Sequence, residues 1–163
     1  MQKTLFLDIE TDGLDATKIH ICVCKDRDTG TITYHTRAST FNKLITSYDK
    51  LIGHNLLSFD VPVLNKLWQS DIPLCKIEDT LILSYLFNPD RVGKHSLRSW
   101  GERLGLDKLE YKDFDIFNKD MLEYCVNDVE LTHKVYEYLM GTEKRDFSDR
   151  SIDLEHKIRY VIN

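Results

Sequence analysis

The chain has 163 residues, with 27 Asp plus Glu against 22 Lys plus Arg and a formal net charge of −5. A chain of this size folds as one domain and buries roughly 70% of its unfolded surface without disulfide staples. Its 42% apolar and 30% charged residues exclude a disordered chain, and no apolar run approaches the roughly 20 residues of a membrane helix. Asp8 stands where a signal peptide would need an apolar stretch, so a cytoplasmic protein is expected. Cys22, Cys24, Cys75 and Cys125 show no CxxC spacing and no nearby histidine pair, which argues against a zinc site. Cys22 and Cys24 read as buried thiols of a reducing compartment. The acid excess weighs against a protein that coats nucleic acid through nonspecific phosphate contacts. It is compatible with acids gathered around metal ions.

In chain order, Thr4 to Ile9 alternates, with Leu5, Leu7 and Ile9 on one face and Phe6 and Asp8 on the other, which predicts a strand. Asp12-Gly13 marks a turn. Ile19 to Lys25 and Thr31 to His35 read as two more strands joined by the polar turn Asp26 to Gly30. A helix is expected from Ser39 to Tyr48, capped by Ser39 or Thr40, and Lys50 to His54 reads as a short buried strand broken at Gly53. From Ser58 the spacing of Val61, Leu64, Leu67 and Trp68 is helical, and Pro62 fits the first turn. Asp79 or Thr80 caps a helix to about Phe87, ended by Asn88-Pro89; Ser96 caps another over Leu97 to Leu104, stopped by Gly105. Asp115 or Asn118 opens a long helix to about Met140, closed by Gly141. This order predicts an α/β fold with helices on a mixed sheet. Residues 1–140 form the expected domain, and residues 141–163 a charged linker and the start of a C-terminal helix. Trp68 and Trp100 lie on apolar helix faces and read as core, and His20, His35, His133 and His156 as structural.

Three segments carry acids in a chemically suggestive pattern. At the end of the first strand, alternation puts Asp8 and Glu10 on one face with Cα atoms about 6.6 Å apart, a pair best tolerated with a cation between them. In Gly53 to Asp60 a strand ends and Asp60 enters the first turn of a helix, where an acid also complements the dipole. In the long helix, Tyr124 and Asp128 are one turn apart on one face, beside the apolar stripe of Leu122, Val126 and Val129. Each segment alone has an ordinary structural reading. Together, Asp8, Glu10, Asp60 and Asp128 form an oxygen-donor set for two hard divalent cations, Mg²⁺ or Mn²⁺, the arrangement that hydrolyses a phosphodiester.

The order DxE, HNxxxFD, YxxxD resembles the three exonuclease motifs of the DEDD superfamily, tyrosine subclass, whose domains are DnaQ-like. Phe6 to Asp15, His54 to Leu64, Asp79 to Ser84 and Gly93 to Gly105 are similar to the 3′–5′ proofreading domain of T-odd-phage family A DNA polymerases. The resemblance covers most of residues 3–140. It implies a ribonuclease H-like mixed five-stranded sheet flanked by helices, and a metal-dependent 3′–5′ exonuclease acting on single-stranded DNA 3′ ends beside a polymerase in cis or in trans. An exoribonuclease is the alternative among enzymes, and an inactive module that docks a polymerase is the alternative outside them.

The resemblance also implies roles. Asp8, Glu10 and Asp128 would hold the metal beside the nucleophilic water; Asp8 would bridge to a second ion, held also by Asp60. Tyr124 and Glu10 would orient the water; a phenol near pKa 10 is too protonated at neutral pH to serve as a simple base. Leu14 would wedge against the terminal bases, the backbone near Thr11 would meet the 3′-hydroxyl, and Asn55 and Phe59 would contact the terminal nucleotide. His54 fits a substrate contact or a core histidine. The basic stretch Arg91 to Ser96, with Arg91, Lys94 and His95, enters a helix N-terminus and is expected to grip a phosphate. The spacer between Leu86 and His95 is shorter than in those phage enzymes. Ser151 to Ile158 resembles the first helix beyond the proofreading domain, which leaves open an excised domain, a split gene product or a free-standing nuclease that kept a remnant of a polymerase region.

Setting aside the four clustered carboxylates leaves 23 acidic residues against 22 basic ones. Much of the acid excess therefore belongs to one expected metal site. The nearly neutral remainder predicts a short-lived grip on a strand, with tighter holding left to a partner.

Overall fold

The computed structural model describes residues 1–162. Its five strands are β1 (Thr4–Thr11), β2 (Ile19–Asp26), β3 (Ile32–His35), β4 (Lys50–Gly53) and β5 (Ile77–Asp79), in one sheet of order β3-β2-β1-β4-β5. The β1, β2 and β3 neighbours run antiparallel, whereas β1, β4 and β5 run parallel. The hairpin between β2 and β3 is closed by Asp26, whose Oδ1 accepts the N–H groups of Asp28 and Thr29. The parallel half needs crossovers, supplied by helices.

Those helices are α1 (Ala38–Ile45), α2 (Asp60–Trp68), α3 (Thr80–Phe87), α4 (Leu97–Leu104), α5 (Lys119–Tyr138) and α6 (Asp149–Ile162), with a 3₁₀ turn at Leu74–Lys76 and a π-helical turn at Leu139–Glu143. The alternation in β1 sorts its side chains between two cores. Leu5, Leu7 and Ile9 pack with Phe41 of α1 and Val61 and Leu64 of α2. Phe6 faces the other side, with Trp100 of α4, Val129 and Val135 of α5 and Ile152 of α6. Each fully buried large apolar side chain contributes about 1.5–3 kcal/mol, so both faces are needed. Trp100 is wholly buried, and its indole N–H donates to Ser84 Oγ.

Several boundaries differ from the sequence expectation. Arg37 rather than Ser39 or Thr40 precedes α1, and it gives no side-chain cap; the Thr40 hydroxyl donates to the Arg37 carbonyl. Asn118, not Asp115, caps α5 by accepting the Met121 N–H. Gly141 does not close that helix, because the backbone widens into the π-helical turn that contains it. The fifth strand, β5, is three buried residues, too short to show any alternation. Between α5 and α6, Glu143 pairs with Arg91 and the Phe147 ring lies 5.1 Å from that of Phe87, so this segment is tied to α3 and the loop after it.

Candidate active site

The C-terminal ends of the parallel strands β1, β4 and β5 open on one side of the sheet, where ligands of α/β sheets bind. Strand β4 pairs with β1 only from Thr4 to Phe6. The Ile9 N–H further along β1 is taken by Asp60, whose Oδ1 accepts it at 3.2 Å. This bond fixes the first residue of α2 against β1. The turn between β4 and α2 passes so close to β1 that a Cβ on Gly53 would lie 3.1 Å from the Leu7 carbonyl oxygen and 3.0 Å from Leu56. Asn55, at φ 62°, takes the left-handed conformation that Asn tolerates better than most residues.

Helix α5 packs across the face of β1 that carries Asp8 and Glu10. The Cys125 thiol lies 3.3 Å from Asp8 Oδ2 and 3.5 Å from the Asp8 carbonyl, donating to them. One turn of helix separates Tyr124 from Asp128, and both face Lys108. The Lys108 ammonium pairs with Asp128 Oδ2 and lies 4.4 Å from the Tyr124 ring centroid. Gly101 makes this approach feasible: a Cβ there would come within 2.6 Å of the Leu106 carbonyl oxygen and 3.1 Å of the Lys108 nitrogen.

Burial and mutual repulsion dominate the electrostatics. Burial, followed by the Asp128 charge, pushes Asp8 up to about 7. Burial and the charges of Asp8 and Asp128 push Glu10 up to about 10. Asp60 is raised well above the carboxylate range by burial and Asp8, and Asp128 is raised by burial despite Lys108. Burial also opposes the charge on Lys108, but its ion pair with Asp128 wins and raises it. Asp128 Oδ1 is buried without a hydrogen-bond partner among the described residues. A cluster of acids held in a low-dielectric site at this cost is stabilised by a cation.

The donor set fits a hard divalent ion. Ligand atoms of Asp8, Glu10 and Cys125 all lie within 4.8 Å of one another. Asp8, Glu10, Asp60 and Asp128 offer carboxylate oxygens, which suit Mg²⁺ or Mn²⁺. The Cys125 thiol is held in its neutral form by burial and by Asp8.

Beside the acids, Glu10, Thr11, Leu14, Phe59 and Phe114 line a cleft of about 240 Å³. Leu14 is 93% exposed at its rim, and the Thr11 hydroxyl donates to the Gly13 carbonyl at 2.9 Å. Asn55 is exposed. The imidazole of His54 lies 2.8 Å from the Thr80 hydroxyl; burial and nearby Lys108 push it down to about 3, so the ring is neutral.

Two of the expected phosphate contacts are corrected. The Arg91 guanidinium is buried, paired with Glu143, bonded to Ser84 and packed 4.4 Å over Trp100. His95 is buried between Ser84 and the Pro89 carbonyl and stacks 3.7 Å from Tyr85. Both are consumed by the interior: Ser84 Oγ bonds each of them, and the Arg91 guanidinium also covers the Trp100 ring. Only Lys94 of the three is exposed, at φ 69°.

Lys108, Phe114 and Asp79 also belong to the site. Lys108 and Phe114 fall in an irregular segment with no periodicity to place them, and in sequence Asp79 reads only as a helix cap. No sequence signal separates Lys108 from Lys112 in the same segment ahead of α5.

Residues 5–121 match the RNase H superfamily. The chain belongs to that superfamily. Among curated proteins it is similar to the DNA-directed DNA polymerase of Escherichia phage T7, 26% identical over 221 aligned positions that cover 95% of this chain and 31% of the polymerase. The polymerase of Enterobacteria phage T3 is 27% identical, with 97% and 32% covered. The chain thus spans about a third of these relatives. Alignments longer than the chain itself mean that the polymerases carry segments it lacks within the matched region. Among solved structures, Brucella melitensis NrnC has the same fold, with a TM-score of 0.76, 21% identity and coverage of 97% of this chain and 82% of NrnC. No helix among the described residues is long and apolar enough to cross a membrane.

Proposed function

We propose that this domain is a 3′–5′ exonuclease that releases nucleotides from single-stranded DNA 3′ ends, as the proofreading unit of a phage-type family A DNA polymerase present in cis or in trans. Its site of action is the cytoplasm, the host's if the chain is phage-encoded. The observation that carries this reading is that Asp8 and Glu10 on β1 lie close together, Asp128 of α5 is near enough for its charge to raise both, Asp60 of α2 is bonded to the Ile9 N–H beside them, and Asp128 Oδ1 is buried without a partner among the described residues. The likeness to the T7 and T3 polymerases supports the DNA setting, and NrnC, a fold relative, has been solved with bound Mg²⁺ and bound to pGG.

Divalent ions held at these carboxylates would lower the pKa of an attacking water and offset the charge developing on the leaving 3′-oxygen. Asp8, Glu10, Asp60 and Asp128 are the residues that would hold them. The Ile9 N–H bond keeps Asp60 oriented toward β1 while it binds. Tyr124 directs its hydroxyl at the water and, protonated because burial raises it, acts as a positioning donor. Leu14 and Phe59 sandwich the terminal bases in the cleft, and Thr11 meets the 3′-hydroxyl through its backbone. Lys94 remains available for a backbone phosphate.

The test is digestion of matched DNA and RNA oligonucleotides labelled at the 5′ end, in Mg²⁺ or Mn²⁺ and in EDTA. The expected result is a ladder of products shortened from the 3′ end on DNA, abolished by EDTA. Faster shortening of RNA reassigns the substrate, and no shortening of either strand leaves the polymerase-docking module as the reading.

A further inference from the structure

We propose that α6 is a working part of the nucleic-acid end of the site: His156, acting through Asp79, holds the turn at residues 54–60 in the shape that presents Phe59 and Asp60. This rests on the exonuclease reading and adds positioning residues to it.

The geometry is a relay of hydrogen bonds. β5 is the edge strand of the sheet, and an edge leaves backbone N–H groups in search of acceptors. The Asp79 N–H finds His156, donating to Nε2 at 2.8 Å. The other ring nitrogen of His156, Nδ1, lies 2.8 Å from the Ile152 carbonyl and donates to it. These two partners fix the neutral tautomer whose Nε2 accepts. His156 is 3% exposed, so water does not compete.

Asp79 in turn holds the turn. Its Oδ1 accepts the N–H groups of Asn55 and Leu81, each at 2.9 Å, and its Oδ2 accepts that of Leu57 at 2.9 Å. The Asn55 conformation at φ 62° is one that surrounding structure must impose. Two residues beyond Leu57, Phe59 forms the cleft wall. Asp60 has its own tether to Ile9, so loosening the turn falls mainly on Phe59 and on binding of the strand. Arg159, 5.7 Å over the Tyr85 ring and bonded to Glu155, fastens α6 to α3 beside this relay. His156 lies beyond residues 5–121, the part that matches the superfamily.

The test compares His156→Leu, which removes the acceptor, with His156→Gln, which keeps one, in the full chain. The readouts are amide hydrogen exchange at Asn55 and Leu57 and the separate KM and kcat for a single-stranded oligonucleotide. His156→Leu is expected to speed exchange at both amides and raise KM about fivefold, with kcat within about twofold and His156→Gln restoring most of both. Unchanged exchange, or faster exchange with an unchanged KM, overturns the proposal. If His156→Leu does not fold, Asp79→Asn, which replaces the Leu57 acceptor by a donor, must show the same rise in KM; a wild-type KM there overturns it too. Failure of the exonuclease reading is distinct, because the wild type would then shorten no oligonucleotide while the exchange measurement still reports on the relay.

Discussion

Lys108 and Asp128 form an ion pair inside the acidic cluster, and the ammonium occupies ground that a divalent cation would claim. Lys108 lowers the cost of keeping Asp8, Glu10 and Asp128 together, and it must yield Asp128 when a metal binds. Lys108→Met should therefore bind Mn²⁺ about tenfold more tightly, equivalent to about 1.4 kcal/mol, while its metal-free form melts several degrees lower. Calorimetric titration of both proteins with Mn²⁺ checks this; equal or weaker binding by the variant contradicts it.

The raised carboxylates set a pH dependence. Asp8 ionises near 3.8 when unfolded but about 7 when folded, so between those values the native state holds the extra proton. Stability then falls as pH rises through that window; Glu10, raised to about 10, extends the fall to higher pH. Metal-free protein should show a melting temperature that declines from about pH 5 to pH 8, with added Mn²⁺ giving its largest increase at the alkaline end. A metal-free melting temperature that climbs over this range runs against the account.

Tyr124 and the metal ligands should separate by magnitude. Tyr124→Phe removes one positioning hydrogen bond and should lower kcat by about 10–100-fold with Mn²⁺ affinity unchanged. Asp128→Ala removes a ligand and should lower both, the rate by more than Tyr124→Phe does. Equal rate losses in the two variants, measured by single-turnover release, would remove the positioning role.

Arg91 belongs to the interior. Arg91→Met breaks a buried pair and strands Glu143, a loss of about 3 kcal/mol, or about 6–12 °C in Tm for a chain of this size. KM for an oligonucleotide should stay at the wild-type value. An elevated KM with unchanged Tm would return Arg91 to the substrate.

The sequence made the strands and the acids legible because both obey short-range rules. Alternation in Thr4 to Ile9 places Asp8 and Glu10 on one face, and the i, i+4 spacing does the same for Tyr124 and Asp128. What escaped depends on close approach between distant segments. Lys108 reaches Asp128 because Gly101 lets the chain fold back on α4, and nothing local to Lys108 records that. Arg91 and His95 look like surface bases in sequence, yet Ser84, Trp100 and Glu143 draw them inward. β5 is too short for a pattern, and its meaning lies in a bond to His156, 77 residues away.

The central claim is that the four carboxylates act by holding divalent cations against a 3′ end. Its most direct test is nucleotide release from a 5′-labelled single-stranded DNA across a Mn²⁺ titration, for the wild type and Asp8→Ala in parallel. Release should rise with Mn²⁺ in the wild type, vanish in EDTA, and be absent from a folded Asp8→Ala protein at every concentration. Wild-type release by Asp8→Ala, or release that persists in EDTA, would contradict it.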